Sequence, residues 1–168
     1  MISSSDTFEM PMQAFVISRE LVFRVWTEAG HLANWWGPAG VDIQVEQLEL
    51  RPGGIFHYKL TSPDGGELWA KFVYRQIVPP ERLVYTSAFS NPDGETVRAP
   101  FSDTFPLEIL NTLTFTEHEG RTLVTLRGVP LDVSKAEQEL FESMFESMQE
   151  GFGDTFDKLD NYLEQLRA

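Results

Sequence analysis

Proton transfer at neutral pH needs an ionisable side chain held near its working pKa by its surroundings. The residues best placed for this are His57 and Glu67, on neighbouring predicted strands beside the hairpin at Pro63-Asp64-Gly65, together with Tyr58, Tyr85 and Arg98. Strand geometry limits the set. His57 and Tyr58 are consecutive and point to opposite faces, so at most one of them enters an interior space. The alternative for His57 is a satisfied or exposed histidine with no chemical duty. His118-Glu119 begins a zinc-protease pattern, but Thr122 stands four residues on, where a second histidine would have to share the helix face. His31, His57 and His118 fall on three separate elements without ligand spacing, so no metal is expected. The chain contains no Gly-x-Ser-x-Gly elbow, no P-loop and no Gly-x-Gly-x-x-Gly turn. We assign no catalytic residue and expect no cofactor.

The elements that position these residues belong to a chain of 168 residues, the size of one domain spanning 1–168, with enough length to bury a core unaided. The chain has no cysteine, which removes thiol redox chemistry, disulfide scaffolding and cysteine-ligated zinc together. A net charge of −13 opposes association with nucleic acid, because phosphate contacts require Lys or Arg. Residues 1–6 carry no basic stretch leading into an apolar core, and no run approaches membrane-spanning length, so the cytoplasm is the expected location. Ten of the acids and only three of the bases fall in residues 132–168. That imbalance makes either a solvated helix face or an electrostatic docking surface.

Residues 8–16 read as a first strand, with Pro11 placing it at a sheet edge. Ser18 then caps a helix whose Leu21, Val22, Val25, Trp26 and Ala29 share one face, with Gly30 as its stop. A second short helix follows over 31–36. From Val41 the apolar period drops to two, and turn signals delimit strands at about 41–50, 54–61, 67–78, 82–90, 107–117 and 121–128. In the fifth of these, Thr112, Thr114 and Thr116 alternate with Leu113 and Phe115, as a sheet wet on one face requires. Ser134 and Glu137 form a capping box for the last helix. Its apolar stripe runs through Phe141, Phe145, Met148, Phe152, Phe156, Leu159, Leu163 and Leu166, and a bend is expected at Gly151 and Gly153. Helices at both ends of a run of strands make the class α+β with an antiparallel meander.

Four segments resemble one family in order and spacing. They are Leu32-Ala33-Asn34-Trp35-Trp36-Gly37-Pro38, Leu50-Arg51-Pro52-Gly53-Gly54-Ile55-Phe56, Pro79-Pro80-Glu81-Arg82-Leu83-Val84-Tyr85-Thr86 and the closing stretch from Glu150 to Leu159. The family is the activator of heat-shock-protein ATPase homologues, in the START/Bet v 1-like superfamily with pollen allergens and polyketide cyclases. The resemblance implies a helix-grip fold. Seven curved antiparallel strands wrap a long C-terminal helix, with two short helices after strand 1 and a cavity between helix and sheet. It also implies a link to chaperones and the stress response. That role goes with longer members carrying an extra N-terminal domain, for which this chain has no room.

Thirteen Phe, four Trp and four Tyr form the aromatic load, much of it on elements that would face one another across such a cavity. The candidate lining is Trp35, Trp36, Phe56, Tyr58, Trp69, Phe72, Tyr85, Phe89, Leu113, Phe115, Met144, Met148, Phe152 and Phe156, with His57, Glu67 and Arg98 as polar candidates. Each of the apolar residues either touches a ligand or fills a core. Residues 91–106 form a long proline-rich connection in which Phe101 and Phe105 either cap a pocket mouth or join a satellite cluster or subunit contact. Three functions remain open. The first is a module that binds a small hydrophobic or amphipathic molecule. The second is a cyclase- or lyase-like enzyme using the same space. The third is an interaction domain, either assisting a chaperone or forming a homodimer.

Overall fold

The computed structural model describes residues 7–38 and 40–167, so the reading of residues 1–6 as free of a leader lies outside the described residues. The predicted first strand is split in two, β1 (Phe8–Glu9) and β2 (Gln13–Phe15), both paired antiparallel with the last strand. Pro11 lacks the amide a continuous ladder needs, and the chain steps out around it while Met10 still donates to the Leu126 carbonyl. Two helices follow, α1 (Arg19–Thr27) and α2 (Ala29–Trp35). The Ser18 hydroxyl caps α1 through the Leu21 amide. Gly30 is not the stop expected of it. The helix ends at Glu28, which is extended and also begins α2, and Gly30 lies inside the second helix. The Thr27 hydroxyl turns back onto the Phe23 carbonyl just before this corner, a contact that bends helices.

The meander comprises β3 (Asp42–Leu48), β4 (Ile55–Thr61), β5 (Glu67–Val78), β6 (Arg82–Ser90), β7 (Thr96–Val97), β8 (Ile109–His118) and β9 (Arg121–Pro130). The sheet order is β1-β9-β8-β6-β5-β4-β3, with β2 also on β9 and β7 on β6. Nine strands are therefore described where seven were expected. The difference is the split first strand and the short β7, which folds part of the long connection back onto Phe89 and Ser90. Register shifts between Val45 and Gln47 and between Tyr74 and Gln76 mark bulges, which increase local twist and help the sheet to curve.

The β3–β4 corner depends on a close approach. Gly53 adopts φ +84° and donates to the Tyr74 carbonyl, and Gly54 accepts from the Tyr74 amide. A Cβ on Gly54 would stand 2.1 Å from the Glu49 carbonyl oxygen, a backbone atom that cannot step aside. Gly54→Ala is accordingly expected to lower folding stability by about 2 kcal/mol, read as an earlier midpoint in urea. An unchanged midpoint would mean the corner relaxes freely.

The Ser134–Glu137 capping box forms as read, opening α3 (Lys135–Ser143). The last helix, α4 (Phe145–Arg167), runs unbroken through Gly151 and Gly153. The break falls earlier, at Met144, whose φ and ψ are −98° and 1°. Two glycines cost about 1 kcal/mol each in a helix, less than is gained by burying Phe156, Leu159 and Leu163 downstream. The corner at Met144 lets Phe141 and Phe145 meet edge to face at 5.2 Å while Phe145 also reaches Phe8. Glu146, Glu150, Asp157, Asp160 and Glu164 lie on the exposed side of α4, and the buried stripe ends at Leu163. Among the described residues no helix is long and apolar enough to cross a membrane.

Candidate functional site

Antiparallel pairing puts directly opposed residues on the same face, so the register defines the inner wall. One row runs Phe56, Phe72, Ser87, Ile109; the next is Tyr58, Ala70, Phe89; a third is Tyr74, Tyr85, Asn111, Gly128. The last helix crosses this wall and presents Met148 and Phe152 to it. Between them lies a cavity of about 220 Å³, whose lining includes Trp36, Tyr58, Ala70, Phe72, Tyr85, Phe89, Met148 and Phe152. Phe105 and Pro106, from the connection after β7, close one side. Short side chains keep it open. Ala70 stands where a larger residue would meet Met148 and Phe152, and Ser87 follows between Tyr85 and Phe89.

A second cavity of about 240 Å³ shares Trp36, Tyr58, Met148 and Phe152 as walls and continues past Gly37, Pro38, Leu60, Gly151 and Thr155. Gly37, at φ +107°, lets the chain leave Trp36 close beside Leu60.

The polar groups on these walls are neutral. Burial pushes the Tyr58 phenol up to about 12, partly offset by the neighbouring Trp36 indole N–H. Burial pushes Tyr74 and Tyr85 up further, and the neighbouring phenols add to the effect. All three therefore stay protonated at neutral pH. The Asn111 amide donates to Ser87 Oγ at 2.9 Å and to the Ile109 carbonyl at 3.1 Å.

Of the sequence-derived candidates, Trp36, Tyr58, Phe72, Tyr85, Phe89, Phe105, Met148 and Phe152 meet at the first cavity. Trp35, Phe56, Leu113, Phe115 and Phe156 do not line it; they are sealed in the core, Phe115 against Phe23 and Phe156 against Trp26. Met144 packs on the core at the helix break. Trp69 lies on the opposite face of the sheet, tilted on the His57 ring with the Lys59 ammonium 5.7 Å above it. Phe101 is 54% exposed and forms an outer layer, its ring edge-on to Phe89 and Phe105.

The three polar candidates stay out of the cavity and apart from one another. His57 faces outward as strand alternation with Tyr58 requires, and its Nε2 lies 3.1 Å from Ser90 Oγ and 3.3 Å from the Asn91 carbonyl, bracing the turn after β6. Glu67 is exposed and paired with Lys59 at 3.2 Å. Arg98 donates to the Phe105 carbonyl and to Glu137 at 2.8 Å, tying the segment that covers the cavity to the start of α3. That guanidinium, with the Ser134 contacts, holds the Glu137 carboxyl below the usual carboxylate range. Among the described residues, no three of His, Cys, Asp or Glu gather as metal ligands would. Sequence reasoning missed Ser87, Ile109 and Asn111, although their register beside Tyr85 and Phe89 was implicit in the strand period. It also missed Ala70, whose importance lies in its small size.

A curved antiparallel sheet closed by a C-terminal helix over an apolar space defines the helix-grip class. Within that class the chain belongs to the family of Activator of Hsp90 ATPase homolog 1-like proteins, whose profile matches residues 17–164. The fold is shared with protein Ms6760 of Mycobacterium smegmatis, 24% identical with a TM-score of 0.76, over 95% of this chain and 91% of that one. A protein of Arthrobacter aurescens is 23% identical with a TM-score of 0.79, over 96% and 87%. The AHSA1 protein of Silicibacter pomeroyi is 17% identical with a TM-score of 0.71, over 95% and 98%.

Proposed function

We propose that this protein binds a small hydrophobic or amphipathic molecule in the space between α4 and the sheet, without covalent chemistry. The observation that carries the reading is a cavity of about 220 Å³ with an aromatic and aliphatic wall and only uncharged polar groups. An apolar cavity of about 150 Å³ already accepts benzene, so a molecule of two or three rings is of fitting size for this space and the one that shares its walls. Pockets of this composition are the ordinary form of small-molecule sites.

The enzymatic alternative asks for a convergent ionisable pair, and His57, Glu67 and Arg98 are all engaged elsewhere. Phenols with raised pKa values donate hydrogen bonds at neutral pH and do not act as bases there.

The test is a titration with N-phenyl-1-naphthylamine, a neutral fluorophore that brightens on leaving water. Saturable one-to-one binding in the micromolar range is expected, nearly independent of salt because no charge is involved. Emission that rises linearly without saturating would count against an enclosed site.

A further inference from the structure

We infer that Tyr58 and Tyr85 make this cavity selective for neutral molecules that carry a hydrogen-bond-accepting oxygen, such as an aryl ketone. The inference rests on the binding function proposed above and adds to it the chemical class of the ligand.

Four observations converge on it. The Tyr85 ring is stacked on Phe72 at 4.1 Å and 21°, which fixes the direction of its hydroxyl, and among the described residues that hydroxyl has no hydrogen-bond partner. The Tyr58 ring stands edge to face with Trp36 at 6.4 Å, and among the described residues nothing takes the proton of its hydroxyl. The Asn111 amide has spent its N–H groups on Ser87 and the Ile109 carbonyl. Among the described residues, no charged side chain lines either cavity.

The wall therefore offers two fixed O–H donors and no counter-charge. A hydrocarbon would strand both phenols away from water, and a buried donor without an acceptor is costly. A carboxylate would enter a space with no cation to balance it, which is costlier still. A carbonyl oxygen accepts from the phenols while the rest of the molecule stays apolar. Sites built to hydrogen-bond a ligand discriminate strongly against analogues that lack the matching group.

The experiment uses three probes of one shape: 2-acetonaphthone, 2-isopropenylnaphthalene, in which CH₂ replaces the carbonyl oxygen, and 2-naphthoate. Each displaces N-phenyl-1-naphthylamine from the full chain. The ketone is expected to bind roughly tenfold tighter than the alkene, and naphthoate to bind weakest. Tyr85→Phe and Tyr58→Phe each remove one oxygen. At least one should reduce the ketone's advantage to about twofold or less, in part because the alkene binds tighter once no donor is stranded, with the melting temperature within a few degrees of the unaltered protein. Equal affinity for ketone and alkene in the unaltered protein would overturn the selectivity and leave the binding function standing. So would a preference that survives both substitutions, or naphthoate binding as tightly as the ketone. If the fluorophore itself fails to bind saturably, the binding function falls and the selectivity with it.

Discussion

Trp35→Ala is expected to cost about 3–5 kcal/mol of folding stability, the largest loss we anticipate from a single side chain outside the cavity. Trp35 is wholly buried, and its ring meets Trp26 at 4.6 Å and Trp36 at 5.6 Å, both edge to face. Its indole N–H donates to the Val25 carbonyl at 3.0 Å, linking α1 to α2 across the corner at Glu28. Alanine removes the aromatic contacts, leaves a void the neighbouring rings cannot all fill, and deprives the Val25 carbonyl of its partner. The melting temperature should fall by roughly 10 °C. Trp35→Phe separates the two losses. It restores most of the packing and should recover more than half of the difference, leaving the unpaired carbonyl as the remainder. A melting temperature for Trp35→Ala within a degree or two of the unaltered protein would show that this cluster is not the keystone of the helical layer.

Trp35 and Trp36 also show where sequence reading reaches its limit. The two are adjacent and identical, yet one is sealed in the core and the other forms the wall of both cavities. Their separation follows from the end of α2 at Trp35 and the turn at Gly37, and no period in the sequence encodes it. The strands were legible because alternation is a local rule. It placed Tyr58 and His57 on opposite faces, and Thr112, Thr114 and Thr116 opposite Leu113 and Phe115. Applied more strictly, the same rule would have separated Trp69 from Phe72, which stand three apart on β5 and therefore face opposite ways. It would also have drawn attention to Asn111, a polar residue in register with Leu113 and Phe115 on the apolar face. Polar exceptions of this kind mark functional positions more often than random ones.

The course of the last helix was legible as a stripe but not in its bend. Glycine propensity pointed to 151 and 153, whereas the corner formed at Met144, where Phe141 and Phe145 are both drawn onto the sheet. Local preferences of about 1 kcal/mol are easily overridden by tertiary burial. Cavities are harder to foresee than cores because they depend on what is missing. Ala70 matters here through the volume it leaves free.

For that reason Ala70→Phe is the sharpest test of where a ligand sits. Ala70 lies on β5 directly between Tyr58 and Phe89 in neighbouring strands, its side chain on the inner face. A benzyl group built from that position projects into the space of about 220 Å³ and occupies much of it. The new ring buries apolar surface in place of solvent, so overpacking costs of about 1–3 kcal/mol are largely offset. The protein should stay folded with a melting temperature within a few degrees of normal. Affinity for N-phenyl-1-naphthylamine, by contrast, should fall about a hundredfold or more, because the excluded volume leaves no room for its three rings. Met148→Trp narrows the same space from the helix side and should produce the same loss, which guards against a local defect in β5 being mistaken for occlusion. If both variants are folded and still bind the fluorophore as the unaltered protein does, the molecule lodges elsewhere, and the space beneath α4 is a packing void with no role in binding.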